Sequence, residues 1–459
     1  MKPIKDWTGA LATGLADIRR QYKLPAAFPP DVEAAASVAA ARSLDDHADR
    51  TALPFVTLDP VSSVDLDQAF AIERSGGDLL LHYAIADVGW FVAHGDPIDR
   101  EAWARGVTIY LPDDKVRLYP AALSERAASL LPDGDRPAVI FTVRVAGDGE
   151  VALAGVERAR IRSRAKLGYA SVRPADLPDG FSEVAERIAA AELRRGAART
   201  DPPQQELRPV DGGYALDFRP MSPIERCNAA LSLAANLAIA QCLHEHGTGL
   251  FRTMAEPGRR AVKRLRHSAV AFGIDWPSTM SLEERERTLD PANRKHAAFM
   301  LAIRRAGQDA GYAPFRAGET AWHSAVAATY VHATAPLRRL GDRYVIEAAL
   351  AVANGRPVPD DIEAAFEPLA DVMKKADARA SQIDSAVIEL AEAVVLTGHV
   401  GTRFEGCVTD LDQRGARIQL CELPVVTRVP EDGLELGEMV SLRLTEADPV
   451  RRLTRFEPA

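Results

Sequence analysis

Apolar and polar residues alternate between about 53 and 160, whereas apolar residues recur at helical spacing before residue 50 and across much of 180–396. The first fifty residues are Ala-rich, and Trp7 to Tyr22 sets Leu11, Leu15 and Ile18 on one helical face. A second helix is expected after Phe28-Pro29, because Pro30 and Asp31 suit a first turn. Leu53-Pro-Phe-Val-Thr-Leu-Asp59 predicts a short strand ending on an acid. Ala69 to Arg74 and Leu79 to Asp87 predict two more, joined as a hairpin by Ser75-Gly-Gly-Asp78. Alternation returns over Val151 to Arg160; helices are then predicted over Val184–Arg195, Pro223–Glu245, Arg259–Phe272 and around Ile362–Leu396. Beyond Leu396 the chain breaks into short strands at Gly415, Pro424, Pro430, Gly433 and Gly437, which suggests a small barrel. The expected fold class is α+β, with a helical region at 1–50, a mixed sheet with surrounding helices at 51–395 and a β-barrel at 396–459.

Composition changes this picture little. The chain has 459 residues, 47% of them hydrophobic and 26% charged, which is ordinary for a globular protein with a sizeable core. No apolar run is long enough to cross a bilayer, and Met1-Lys-Pro-Ile-Lys-Asp lacks a signal core, so a cytoplasmic protein with no membrane partner is expected. Cys227, Cys242, Cys407 and Cys421 are too scattered for a disulfide framework. A net charge of −9 argues against general nucleic-acid binding, though not against a basic channel inside an acidic exterior.

The candidate chemistry lies in Thr57 to Ala69, where Asp59, Asp65 and Asp67 crowd together with almost no cation in sequence beside them. In an extended segment Asp65 and Asp67 project to one side and Leu66 to the other, so both can share one ion; Asp59 returns to the same edge from the preceding strand. Mg²⁺ prefers oxygen ligands, keeps several waters and needs few carboxylates beside substrate phosphate, which suits this set better than zinc. The alternative is a group of turn and strand-end acids facing solvent. Arg259, Arg260, Lys263, Arg264 and Arg266 form the densest basic patch, either a solvated helix face or a wall of a nucleic-acid path.

Several ordered motifs resemble the ribonuclease II and R family, whose catalytic unit is called the RNB domain. The resemblance is carried by Pro54-Phe-Val-Thr-Leu-Asp59, Asp65-Leu-Asp67-Gln-Ala69, Ala84-Ile-Ala-Asp87-Val, Val107-Thr-Ile-Tyr110-Leu-Pro112, Leu118-Tyr-Pro120, Lys166-Leu-Gly-Tyr169 and His323-Ser-Ala-Val-Ala. Its most specific block is Tyr330-Val-His-Ala-Thr-Ala-Pro-Leu-Arg-Arg-Leu-Gly-Asp342, and together the blocks span about three hundred residues. Gly401 to Gly406 and Leu436 to Leu444 resemble, more loosely, the OB-fold RNA-binding domain that closes such chains. That tail offers only Phe404 and Phe456 as aromatics, so modest RNA affinity is expected of it.

The resemblance implies an RNB-type catalytic domain over 51–395 and an OB-fold over 396–459, with the first helices either a small nucleic-acid-binding module or a brace. It implies a metal-dependent 3′-to-5′ exoribonuclease that hydrolyses single-stranded RNA to nucleoside 5′-monophosphates, with Mg²⁺ or Mn²⁺ as cofactor and a monomer as the expected state. Asp59, Asp65, Asp67 and Gln68 map onto the metal cluster; Asp67, Arg338 and Asp65 onto catalysis; Tyr110, Arg339 and His332 onto substrate binding. Arg338 would grip phosphate oxygens, and Tyr110 would stack on the terminal base or else be a core tyrosine. Arg339 would contact phosphate or form a structural ion pair, and His332 and His323 would bond phosphate or cap strands. The sequence departs from the family at Gln68, where an aspartate is usual, and at Ala230 and Gln382, where glutamates are usual. The other reading is therefore a weak or inactive RNB-type scaffold that binds RNA.

Overall fold

The computed structural model describes residues 4, 6, 8–197, 204–211, 213–291, 293–307, 310–412, 415–430 and 433–459; Trp7, taken above as the start of the first helix, lies outside them. A seven-stranded sheet carries the fold, in the order Ala48–Asp49, Val151–Ile161, Arg136–Val145, Asp78–Ala86, Gln68–Ser75, Val56–Asp59, Ala165–Gly168. The four inner pairings are antiparallel and the two outermost are parallel, so the sheet is mixed. The hairpin forms where expected, with Gly76 in the left-handed region (φ 61°) at its turn. Val56–Asp59 is shorter than its apolar run, because Leu53 and Pro54 lead into it as irregular chain.

Pro223–Glu245 packs on the sheet and opens with a capping box in which Ser222 and Glu225 satisfy each other's backbone N–H. Leu340–Ala353, buried along nearly all its length, covers the same side. The first helix, Ala10–Gln21, buries Leu11, Leu15 and Ile18. It lies so close to the 37-residue helix Asp360–Leu396 that a Cβ at Gly14 would stand 2.4 Å from Leu390 Cδ1. Pro30–Ala39 follows with proline at its start.

The C-terminal strands form a five-stranded antiparallel sheet, in the order Val426–Val429, Gly415–Leu420, Arg403–Asp412, Met439–Asp448, Leu453–Pro458, curled into a nearly closed barrel with its own core. Leu396 reaches that core from the long helix. One turn earlier, Glu392 accepts from Val426 N (2.8 Å) and from Gln205 Nε2 (2.6 Å). A third cluster of buried residues occupies 265–303, built on Leu265, Phe272, Phe299 and Ile303.

Candidate active site

Asp65 and Asp67 do not lie within a strand but in the irregular chain just before Gln68–Ser75. Ser129 holds that chain in place: its Oγ accepts from Leu66 N (2.9 Å) and donates to Val64 O (2.7 Å), while Leu130 N donates to Leu66 O (3.0 Å). Leu66 is thereby buried. Asp67 continues the sheet ladder by accepting at its carbonyl from Ala86 N (2.9 Å), and its Oδ1 accepts from Leu337 N (2.7 Å). The run containing Leu337 is anchored to the turn after Pro97–Arg105, with Thr108 N donating to Arg338 O and Leu340 N to Gly106 O, both at 2.9 Å. Gly106 has φ 74°, and a Cβ there would meet Ala376 at 2.6 Å, so only glycine fits this crossing.

These anchors bring Arg338 beside Asp67, with Nε 3.4 Å from Oδ2. The pair is poorly aligned, and the buried Nε makes no hydrogen bond. Burial is the largest influence on Asp67, pushing it up to about 7 against the pull of Arg338 and the Leu337 N–H. Burial also pushes Asp59 up to about 7, with Arg338 opposing and Asp65 adding repulsion. Burial outweighs the pull of Arg338 on both carboxylates, of Lys166 on Asp59 and of Arg339 on Asp67.

Asp65 is served separately. Lys115 Nζ stands 2.9 Å from its Oδ1 and Tyr110 Oη donates to its Oδ2 at 3.0 Å. Tyr110 and Lys115 face each other across the Ile109–Tyr110/Lys115–Val116 pair, which delivers both to the same carboxylate. Asp65 nevertheless stays close enough to Asp67 and Asp59 for its charge to raise both. Among the described residues no group of three or more His, Cys, Asp or Glu side chains is placed to hold a metal. Tyr110 is 47% exposed as a residue, so it is not a core tyrosine.

Gln68 points its Oε1 at the Tyr83 hydroxyl, which donates to it. Arg339 commits Nε (2.9 Å) and Nη2 (2.7 Å) to Asp342, the ion-pair alternative of the two weighed for it. His332 stands 3.1 Å from the Tyr312 hydroxyl, between the edges of Tyr312 and Tyr330, and burial keeps it neutral. His323 is buried, and that burial lowers it to about 4. Ala230 is buried within its helix, and Gln382 is exposed near the first helix, where its carbonyl accepts from Tyr22 Oη (3.3 Å). Sequence reasoning gave no role to Lys115, to Asn228 or to Tyr169. Asn228 Nδ2 donates to Tyr169 Oη (2.7 Å) and to Leu58 O (3.3 Å), bracing the strand that ends on Asp59. The Leu111-Pro-Asp-Asp turn between Tyr110 and Lys115 was the available sign that a lysine returns to the tyrosine's side.

Residues 47–352 match the RNB domain and residues 402–459 the RNase II-type exonuclease C-terminal S1 domain. Ribonuclease R of Thermotoga maritima is 26% identical over 442 residues, covering 88% of this chain and 61% of its own length. This chain thus spans less than two thirds of that relative. The fold superposes on Mycoplasma genitalium RNase R, solved with ribose-methylated single-stranded RNA, with a TM-score of 0.86 at 18% identity over 98% of this chain and 78% of that one. Yeast Ssd1, described as a pseudonuclease, superposes with a TM-score of 0.70 at 16% identity over 94% of this chain and 57% of that one.

Proposed function

This chain belongs to the RNB-domain family, and from that premise we propose that it is a metal-dependent hydrolytic exoribonuclease, removing nucleoside 5′-monophosphates from the 3′ end of single-stranded RNA. The observation that carries the reading is the meeting of buried Asp67 with Arg338, whose Nε stands 3.4 Å from Oδ2 without a hydrogen bond, next to an Asp59 that burial also raises. Hard carboxylate oxygens that lack counter-charge fit a divalent cation, and Mg²⁺ needs only one or two of them when substrate phosphate supplies more. Asp59 and Asp67 would hold it, or Mn²⁺ in its place, with Asp65 beside them and the second lone pair of Gln68 Oε1 within the same set. Such a cation stabilises charge on the attacking and leaving oxygens of a phosphodiester.

The chain's own groups do the rest. Asp67 orients the attacking water through its carboxylate oxygens. Arg338 turns its free Nε and fork toward the non-bridging oxygens. The exposed Tyr110 ring stacks on the 3′-terminal base while its hydroxyl stays on Asp65. Arg339 and His332 support from behind: Arg339 through Asp342, whose Oδ2 accepts from Ala335 N (2.8 Å), and His332 through Tyr312. A monomer acting on RNA accounts for all of these groups, and among the described residues no helix is long and apolar enough to cross a membrane.

The likeness to a pseudonuclease motivates a second reading, an RNA-binding scaffold without turnover. Presence of Asp59, Asp67 and Arg338 together favours the enzyme. A 5′-labelled homopolymer incubated with Mg²⁺ or Mn²⁺ separates the two: laddering from the 3′ end supports hydrolysis, and an intact but bound strand supports the scaffold. The same assay on the deoxy strand tests whether the 2′-hydroxyl is read.

A further inference from the structure

Between the paired strands Leu250–Thr253 and Gly311–Pro314 the chain makes an excursion built around its own small core. Its first helix, Arg259–Ala271, buries only Leu265 and Ala269. Arg259, Arg260, Lys263 and Arg264 are exposed, and none of their side chains has a hydrogen bond or ion pair among the described residues. Arg266 differs, lying 4.2 Å over the Trp276 ring and bonding the carbonyls of Trp276, Pro277 and Met280. The first turn contains no acid, and cations there oppose the helix dipole, so the helix's own stability does not account for four of them.

An independent feature lies on the hairpin joined to the start of this excursion. Trp322 is 44% exposed on the small hairpin Trp322–His323/Ala328–Thr329. That hairpin is laced to the start of the excursion: Met254 N donates to Trp322 O (3.1 Å), Ser324 N to Met254 O (3.0 Å) and Ser324 Oγ to Ala255 O (3.2 Å). Arg259 follows Ala255 by four residues, so their Cα atoms are at most about 14 Å apart. Glu256, also exposed, is the one acid in that link. From the same hairpin the chain runs through Tyr330 and His332 to Arg338.

We propose that Trp322 and the face formed by Arg259, Arg260, Lys263 and Arg264 are a landing platform for single-stranded RNA outside the active site. The indole stacks on a base and the four cations follow the phosphates, the combination by which single strands are held without regard to sequence. On a protein of net charge −9 this face is a local attraction for a polyanion. The platform deepens the exoribonuclease reading and rests on it: it captures a strand whose 3′ end lies at Asp67, so it acts only on strands long enough to reach both places.

The test uses the full chain with a 5′-fluorescein 20-mer and a 4-mer of oligoadenylate. Binding of the 20-mer is followed by anisotropy in EDTA across a salt series, and hydrolysis of the 4-mer is followed with Mg²⁺. Combined Arg259→Gln, Arg260→Gln, Lys263→Gln and Arg264→Gln should flatten the slope of log K against log salt by about 3, at roughly 0.7 per contact. Trp322→Ala should weaken 20-mer binding about 5- to 150-fold, and Trp322→Phe should recover most of it. Hydrolysis of the 4-mer should be unchanged in all three. Folded variants, checked by thermal unfolding, that keep the wild-type slope and 20-mer affinity would overturn the platform, as would an equal loss on the 4-mer. A wild-type protein that binds the 20-mer with the expected variant losses but cuts nothing would overturn the nuclease reading and leave the platform standing.

Discussion

Two aspartates sit at the same end of the sheet, one residue out of step on neighbouring strands. Asp67 precedes Gln68–Ser75 and Asp87 follows Asp78–Ala86, and both carboxyl groups are withdrawn from solvent, at 5% and 0% exposure. Burial opposes ionisation of both. At Asp87 it is more than offset by a hydrogen bond from His47 (3.3 Å) and by Arg158, whose Nε lies at 2.8 Å, so Asp87 is held below the usual carboxylate range. Its other oxygen caps Trp90 N at 3.1 Å. Asp67 has one backbone donor and one poorly aligned arginine, and it rises to about 7. The difference teaches that burial alone does not mark a working carboxylate; what matters is whether the fold has already spent the group on cations.

The most severe break of this comparison is Asp67→Asn, which keeps the acceptor for Leu337 N but cannot take a proton. Turnover should fall by about 10²–10³ or more while RNA affinity and thermal stability hold, since electrostatic groups of this kind contribute on that scale. Near wild-type degradation of poly(A) would remove Asp67 from the chemistry. The mirror substitution, Asp87→Asn, should cost about 3 kcal/mol in urea unfolding, because it leaves Arg158 with only Glu347 as its charged partner among the described residues. The folded fraction should retain its kcat, and a large drop in kcat without loss of stability would mean that Asp87 belongs to the site.

A third buried carboxylate sharpens the rule. Glu392 also accepts two hydrogen bonds, but both donors are neutral, and burial pushes it up to about 7. A carboxyl raised in the folded state stabilises fully below its unfolded value, and that stability is lost as pH rises through the folded value. Stability should therefore fall by up to about 3 kcal/mol between pH 4.5 and 8 on this account. Glu392→Gln keeps the acceptor and should flatten that dependence, as read from urea midpoints; parallel curves for the two proteins would refute it. The smallest effect concerns Asp65, which is spent on Lys115 and Tyr110. If the Tyr110 ring stacks, Tyr110→Ala should lose about 1 to 3 kcal/mol of grip and release longer final fragments, whereas Tyr110→Phe should change little. An unchanged end product from a folded Ala variant would leave the exposed ring without that role.

The elements that carry strong periodicity were legible. Pro223–Glu245 has a proline at its first position and a Ser-Glu capping box, and the hairpin around Gly76 has strict alternation on both arms. Gln204–Val210 pairs with Gly213–Arg219 but lacks alternation and contains Pro209, so no strand was expected there. Arg294–Ala306 was also unanticipated, although Asn293 caps it by accepting from Lys295 N and His296 N. Within the site, residue types were readable and the supports were not: 65–67 are irregular chain and not strand, and Ser129, more than sixty residues downstream, sets that loop. Lys115 was missed because pairing across a short turn, and not sequence proximity, brings it to Asp65.

The hydrogen bond from Leu337 N to Asp67 joins residues 270 positions apart. At about 5 to 20 residues per second of synthesis, the ribosome needs roughly 14 to 54 s to supply the second half after the first has emerged. During that interval the acids are present and Arg338 is not. Until Arg338 emerges a nascent chain carries no assembled site, and the long separation between the two halves works as a timer on when Asp67 and Arg338 can first meet.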